Sequence, residues 1–213
     1  MPRLLYLHGF ASGPRSAKGV AFADHLARRG VALDCLDLRV PSLPHLRLSA
    51  MIERTRQAIG GPDDRAVLIG SSLGGLTAAR VAERDPRVVA VILLAPAFLL
   101  LERWRARPTW ADWQRTGWLE IHDYQECRPA RVDFGFAEDA LTVDVGTPDV
   151  RVPAMILHGV DDDTVPIADS RAFAAARPNV QLIELPDGHS LIASLPRLLE
   201  ESDRFLAPWL AQR

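Results

Sequence analysis

The stretch Ala66-Val67-Leu68-Ile69-Gly70-Ser71-Ser72-Leu73-Gly74-Gly75-Leu76 contains the pattern G-x-S-x-G between an apolar run and a helix-like run. The apolar residues Ala66–Ile69 indicate a buried strand, and the residues from Gly75 onward open a helix. In a sharp turn from strand to helix, this pattern presents its serine hydroxyl, with glycines where side chains would clash. The stretch therefore predicts a reactive Ser72, and a glycine-rich turn with incidental serines is the alternative.

Five further apolar runs, rich in Val, Ile and Leu and bounded by Gly, Pro or Asp, also predict strands. Together with Ala66–Gly70, the predicted strands are Leu4–His8, Leu33–Leu38, Val88–Ala95, Ala154–His158 and Val180–Leu185. The helix-like stretches between and after them are Lys18–Arg29, His45–Ile59, Leu76–Arg84, Ala168–Ala176 and Leu191–Leu210, the last expected to be limited by Pro196 and Pro208. Runs that are apolar nearly throughout are typical of a parallel sheet covered on both faces. The alternation predicts an α/β fold built of βαβ units.

One long segment interrupts this alternation. From about residue 97 to residue 146 the sequence is irregular, and it contains four tryptophans: Trp104, Trp110, Trp113 and Trp118. A connection this long between two core strands is typical of a lid or a small subdomain. We therefore expect a single domain, residues 1–213, with a lid insertion at about 97–146. The run Arg103–Arg107 could indicate an anionic substrate or nucleic acid, but we interpret it as a solvated part of the lid.

Composition excludes several classes of protein. The formal net charge of the 213 residues is −2, which argues against nucleic-acid binding, and no run reaches the roughly 18 apolar residues of a membrane span. Cys35 and Cys127 are too few for a disulfide framework, and the strand-like N-terminus leaves no room for a signal peptide. We therefore expect a soluble, cytoplasmic protein. Lys18, the only lysine, is interpreted as compositional bias.

A serine hydroxyl is a weak nucleophile and needs a base that a third group orients. His189 follows the last predicted strand, at the carboxyl edge where α/β active sites assemble. It is the only histidine with a plausible acid between itself and Ser72, and Ser, Asp, His is the order expected for this turn. The acid should come from Asp161, Asp162 or Asp163, and the residues alone leave that choice open.

An oxyanion hole requires two preorganised backbone N–H groups. The N–H of Leu73, directly after the serine, is one candidate. The loop after the first strand, His8-Gly9-Phe10-Ala11-Ser12-Gly13, supplies the other, for which we choose Phe10. The alternative for this loop is a phosphate-binding turn, but neither G-x-G-x-x-G nor G-x-x-x-x-G-K-[ST] is present.

Four motifs resemble, in order, those of the α/β-hydrolase superfamily of serine hydrolases: Tyr6-Leu7-His8-Gly9-Phe10, the G-x-S-x-G turn, His158-Gly159-Val160-Asp161-Asp162-Asp163-Thr164-Val165-Pro166 and Gly188-His189-Ser190. Within the superfamily the chain resembles YqiA-type small bacterial esterases and the mitochondrial abhydrolase that removes acyl groups from proteins and acyl-glucuronides. The resemblance implies an α/β-hydrolase fold with a minimal six-stranded parallel sheet, helices on both faces and a small lid insertion. The family pattern H-G-x-x-D-x-x-V-P implies Asp162 as the acid and a mainly structural His8.

The function implied is that of a serine hydrolase cleaving carboxylic esters or thioesters through Ser72, Asp162 and His189 and an acyl-enzyme intermediate, with Phe10 and Leu73 as the oxyanion hole. Acyl-protein thioesterase (depalmitoylase) and serine peptidase are related alternatives. A non-catalytic binding protein on a hydrolase scaffold is the alternative from another class. The expected partner is a small-molecule acyl ester or thioester. No metal, organic cofactor or nucleic acid is expected, and the oligomeric state stays open.

Overall fold

The computed structural model describes residues 1–211 and contains a six-stranded parallel sheet. The strands of the chain are β1 (Arg3–Leu7), β2 (Leu33–Leu36), β3 (Ala66–Ser71), β4 (Val88–Leu94), β5 (Trp118–Asp123), β6 (Arg128–Asp133), β7 (Ala154–Gly159) and β8 (Val180–Leu185). The large sheet has the order β2-β1-β3-β4-β7-β8, and every neighbouring pair in it is parallel. The six predicted strands and their parallel arrangement are confirmed.

Helices cover both faces of this sheet. They are α1 (Ala17–Ala27), α2 (Leu48–Ile59), α3 (Leu73–Arg84), α4 (Leu100–Arg105), α5 (Thr109–Thr116), α6 (Gly135–Val143), α7 (Ile167–Ala175) and α8 (Leu195–Leu210). Successive side chains of a strand point to opposite faces. In β3, accordingly, Leu68 packs in the core cluster that includes α2 and α3, whereas Val67 and Ile69 pack in the cluster that includes α1 and α8. No helix within residues 1–211 has both the length and the apolar character needed to cross a membrane.

Some helix boundaries differ from those predicted. The helix predicted to start at His45 starts at Leu48, after a 3₁₀ turn over Leu43–His45. The final helix starts at Leu195 rather than Leu191, so the residues just after His189 form a loop. Pro208 does not end that helix, which continues to Leu210; near a C-terminus a proline disrupts few later hydrogen bonds.

The segment between β4 and β7, where the sequence pattern is irregular, consists mostly of regular elements. It contains α4, α5, the antiparallel hairpin β5–β6 and α6. Trp104 of this segment packs against the body, where its ring lies 5.0 Å from that of Phe10. The buried indole N–H of Trp113 donates to the carbonyl of Val132 at 3.1 Å, within the segment itself. The sequence does not indicate this hairpin, because too few of its residues alternate between apolar and polar. Leu119 and Ile121 are apolar residues that do alternate.

The end of β7 lies directly against the loop that follows β8. Gly159 is the last residue of β7, and a Cβ added there would lie 2.1 Å from the carbonyl oxygen of Asp187. The N–H of Asp161 donates to the same carbonyl at 3.1 Å. The absence of a side chain at position 159 therefore allows the loop carrying Asp162 and the loop carrying His189 to touch.

Gly159→Ala should lower the free energy of unfolding by about 1–3 kcal/mol or more, because the new methyl group overlaps a backbone carbonyl that cannot rotate away. Gly61→Ala is the control, since a Cβ there would meet Asp64 at an ordinary 3.6 Å. That variant should change stability by less than about 0.5 kcal/mol. Urea denaturation of both variants measures the difference. Equal stabilities would show that the two loops do not need this close approach.

Candidate active site

Ser72 lies in a strained turn between β3 and α3. Its φ is +53° and its ψ is −115°, a conformation that costs a residue with a side chain free energy. A Cβ at Gly70 would lie 2.3 Å from the carbonyl oxygen of Gly74, and a Cβ at Gly74 would lie 2.1 Å from that of Leu7. The chain can therefore turn this sharply only because glycine occupies both positions. The strand, the turn and the helix occur where the sequence predicts them.

His189 lies between Ser72 and Asp162. Its Nε2 is 3.0 Å from the Ser72 Oγ, and its Nδ1 is 2.7 Å from the Asp162 Oδ2. A carboxylate can only accept hydrogen bonds, so Nδ1 carries the proton and Nε2 accepts from the serine hydroxyl. The structure thus brings together the three side chains that the sequence and the resemblance singled out. A hydroxyl, an imidazole and a carboxylate in this order can move a proton from serine to histidine.

Asp162 is the one of the three consecutive aspartates that is held inside the protein. Its side chain is 0% exposed, and its Oδ1 accepts from the N–H groups of Thr164 at 2.9 Å and Val165 at 2.8 Å. Burial alone would raise the pKa of Asp162, but hydrogen bonds from two histidines and Val165 outweigh burial and hold that pKa well below its usual range. Asp161 and Asp163 are exposed, and Asp163 accepts from the Thr164 hydroxyl at 3.1 Å.

The second histidine at Asp162 is His158, which is fully buried at the end of β7. Its Nε2 lies 3.1 Å from the Asp162 Oδ2 and 2.9 Å from the Val165 carbonyl, and both of these atoms are acceptors. Nε2 therefore carries the proton, and Nδ1 accepts from the Ser170 hydroxyl at 2.8 Å. His158 and His189 therefore donate to the same oxygen, Oδ2, of the Asp162 carboxylate.

The N–H groups of Phe10 and Leu73 are available to a ligand. Within residues 1–211 neither donates a hydrogen bond to a protein acceptor, and both residues line one cavity together with Ser72 and His189. His8 fixes the loop that carries Phe10: its Nε2 accepts from the N–H of Leu38 at 3.0 Å, and its Nδ1 donates to the carbonyl of Gly9 at 2.9 Å. Burial lowers the pKa of His8, which keeps it neutral.

The cavity beside Ser72 has a volume of about 700 Å³, which is in the range of small-molecule sites. Phe10, Leu100 and Trp104 form an apolar part of its wall, so α4 of the inserted segment borders the site. In the part of the chain that the structure describes, no three His, Cys, Asp or Glu side chains cluster as metal ligands would.

Two charged residues near the site were not identified from the sequence. Lys18 Nζ donates to the carbonyl of Ser190, beside His189, at 2.6 Å. Burial lowers the pKa of Lys18 to about 8, although the carboxylates of Asp187 and Asp162 oppose this shift. Asp187 accepts from the N–H of Ser194 at 2.8 Å, which braces the same loop. The sequence offers one signal for Lys18, that it is the single lysine, and this signal does not distinguish a role at the site from compositional bias.

The remaining histidines lie elsewhere and contact other partners. His25 of α1 hydrogen-bonds Asp203 of α8 at 2.8 Å, and His45 hydrogen-bonds Asp133 at 2.6 Å. His122 packs its ring edge-on against Tyr124. None of these three histidines lines the cavity beside Ser72.

Comparison with solved structures identifies the fold as that of the α/β hydrolases. The chain matches alpha/beta hydrolase domain-containing protein 10 from mouse with a TM-score of 0.78 and 21% identity, covering 98% of this chain and 91% of that one. It matches Est1E from Butyrivibrio proteoclasticus with a TM-score of 0.74 and 22% identity, covering 99% and 89% of the two chains. Among curated proteins it is 28% identical to the pimeloyl-[acyl-carrier protein] methyl ester esterase of Aromatoleum aromaticum, over 92% of this chain and 94% of that protein.

Residues 3–202 match the family described as "Uncharacterised protein family (UPF0227)", and the chain belongs to that family. The family is the YqiA-like one, so the resemblance drawn from the four motifs is confirmed.

Asp162→Asn should lower the free energy of unfolding at neutral pH by about 1–3 kcal/mol, because it removes a buried charged acceptor that holds two histidines. A carboxyl with a depressed pKa contributes stability above its unfolded pKa, near 4, and this contribution is lost as pH falls through the folded pKa. The difference from the wild type should therefore shrink below about pH 4. Thermal and urea unfolding between pH 3 and pH 7.5 measures it.

The matched control is Asp163→Asn, which alters an exposed neighbour and should change stability by less than about 0.5 kcal/mol at every pH. A difference that grows toward low pH, or an Asp163→Asn effect as large as that of Asp162→Asn, would contradict this account of the acid.

Proposed function

We propose that the protein is a serine hydrolase that cleaves carboxylic esters or thioesters. The observation that carries the proposal is the continuous set of hydrogen bonds from Ser72 through His189 to the buried Asp162. These three residues come from loops at the same edge of the sheet, where the active sites of α/β proteins form.

In the proposed reaction the Ser72 Oγ attacks the carbonyl carbon of the substrate, and His189 Nε2 takes the hydroxyl proton. The N–H groups of Phe10 and Leu73 donate to the oxyanion of the tetrahedral intermediate. His189 then gives its proton to the leaving alcohol or thiol, which departs and leaves an acyl group on Ser72. Water, deprotonated by His189, attacks the acyl-enzyme and releases the acid. Asp162 keeps Nδ1 protonated and stabilises the imidazolium in both half-reactions.

The class of substrate rests on two kinds of support. A related protein, 28% identical, is named as a methyl ester esterase, which favours an ester. The apolar wall formed by Phe10, Leu100 and Trp104 favours an acyl chain. Thioester cleavage uses the same steps, so acyl-protein thioesterase activity remains the nearest alternative, followed by serine peptidase activity.

We also propose that the segment of about residues 97–146 is a lid on a single domain. Its α4 borders the cavity, and Trp104 and Phe136 pack with Phe10, which carries one of the two candidate oxyanion N–H groups. Movement of this segment would therefore alter access and the oxyanion hole together. The cytoplasmic location stays a prediction. Within the described residues, neither Cys35 nor Cys127 forms a disulfide bond.

Ser72→Ala should abolish hydrolysis, with a loss of about a millionfold in kcat, because the residual rate comes only from binding and the oxyanion hole. Ser71→Ala is the matched control and should keep most of the activity. The substrates are a panel of p-nitrophenyl esters and acyl thioesters from acetyl to palmitoyl, with a peptide p-nitroanilide to test peptidase activity. Thermal melts check that both variants fold.

Substantial turnover by folded Ser72→Ala would end the serine-hydrolase proposal. Failure of the wild-type protein to cleave any member of the panel would favour a non-catalytic binding protein on this scaffold.

A further inference from the structure

The charge on the wall of the active-site cavity has one sign. The charged residues Arg15, Lys18, Arg103 and Arg107 line it, and within residues 1–211 no aspartate or glutamate does. The whole chain, by contrast, has a formal net charge of −2. Because like charges around a cleft concentrate ligands of the opposite sign, this wall favours an anionic ligand.

Arg103 is the cation of the four whose guanidinium has an unpaired buried nitrogen. Its side chain is 18% exposed, and its Nη1 forms an ion pair with Asp169. Its Nη2 is buried and, within the described residues, has no hydrogen-bond partner. Buried polar groups in proteins almost always have a partner, so the guanidinium of Arg103 has the capacity for one acceptor in addition to Asp169. Asp169 holds the guanidinium in place, which leaves one side of its planar fork for a ligand.

Arg107 is close enough to repel Arg103. Burial lowers the pKa of Arg103, the carboxylate of Asp169 opposes that shift, and the charge of Arg107 adds to it. An anion between the two guanidinium groups would remove this repulsion. Arg105, which lies on α4 with Arg103, is exposed and does not line the cavity. The run Arg103–Arg107 is therefore only partly solvated, contrary to the prediction from the sequence.

We propose that Arg103, assisted by Arg107, binds an anionic group, a carboxylate or a phosphate, carried by the ester substrate. The inference rests on the proposed function, since it specifies the substrate of that same site. A guanidinium fork matches the oxygens of either anion. The alternative ligand, a nucleic-acid backbone, would require an extended basic surface, whereas these cations surround a cavity of about 700 Å³.

Matched substrate pairs test the proposal by comparing kcat/KM. Monomethyl glutarate and methyl pentanoate have acyl chains of the same length, which end in a carboxylate in the first and in a methyl group in the second. The pair 4-acetoxybenzoate and phenyl acetate places a carboxylate on the leaving group, and 4-acetoxyphenyl phosphate replaces it with a phosphate. In at least one arm the wild type should prefer the anionic member by about tenfold or more, which corresponds to one charge-assisted hydrogen bond. Added salt should reduce the preference.

The variants isolate Arg103. Arg103→Gln should reduce the ratio of anionic to neutral kcat/KM by about tenfold to a hundredfold, and Arg103→Lys should restore part of it. Arg107→Gln alters an exposed side chain that should not disturb folding, and it should reduce the ratio several-fold. Arg105→Gln is the matched control from the same helix and should leave the ratio unchanged.

The proposal would be overturned if the wild type showed no preference for an anion in any arm, or if Arg103→Gln and Arg105→Gln had equal effects. Hydrolysis of the neutral esters would in that case still support the serine-hydrolase function. If no ester is cleaved, calorimetry with the Ser72→Ala protein decides. The anion site is supported if the Ser72→Ala protein binds monomethyl glutarate more tightly than methyl pentanoate, and if this difference disappears when the protein also carries Arg103→Gln. Equal binding, or binding of single-stranded DNA in preference to both, refutes it.

Discussion

The backbone at Ser72 is the constraint on which the candidate site depends. A serine at φ +53° is unfavourable, so the surrounding structure must hold it. The Ser72 N–H donates to the carbonyl of Leu94 at 2.8 Å, and the Ser72 carbonyl accepts from Ala97 at 3.1 Å. The turn is thus fixed to the end of the neighbouring strand β4, and the cost of the strain is offset by the stability of the sheet. The same turn starts α3 and directs the hydroxyl toward His189.

A second constraint is that one buried carboxylate, that of Asp162, needs hydrogen-bond donors. Asp162 accepts hydrogen bonds from His158, His189, Thr164 and Val165. A buried charge without such partners would be costly, and it would take up a proton instead. With them, Asp162 stays ionised and fixes the ring of His189 before any substrate arrives. In the proposed reaction, such preorganisation would leave little reorganisation to be made.

The fold was predictable from the sequence because its four central strands, β1, β3, β4 and β7, are almost fully buried and therefore read as nearly continuous apolar runs. Ser72 was predictable because glycine is required at two positions of its turn. The choice among Asp161, Asp162 and Asp163 was not predictable from the residues alone, because adjacent side chains differ only in direction. The resemblance implied Asp162, and the structure buries the side chain of that residue. The hairpin β5–β6 has too few alternating apolar residues to be distinguished from a loop.

The environments of Lys18 and Arg103 could not be predicted from the sequence for a different reason. Each is an ordinary charged residue in its local context, and its environment is created by distant parts of the chain. Lys18 meets Ser190, 172 positions away, and Arg103 meets Asp169, 66 positions away. Only the closed fold brings these partners together, so the run Arg103–Arg107 could not show by itself whether it meets an anionic ligand or is solvated.

Covalent trapping tests most directly the claim that this geometry makes Ser72 a nucleophile. The protein is incubated with diethyl p-nitrophenyl phosphate, digested and mapped by tandem mass spectrometry, with protein denatured beforehand as the control. The account predicts a single diethylphosphoryl group on Ser72, formed only in the folded protein. A modification on Ser71, or no modification of the folded protein at any serine, would contradict it.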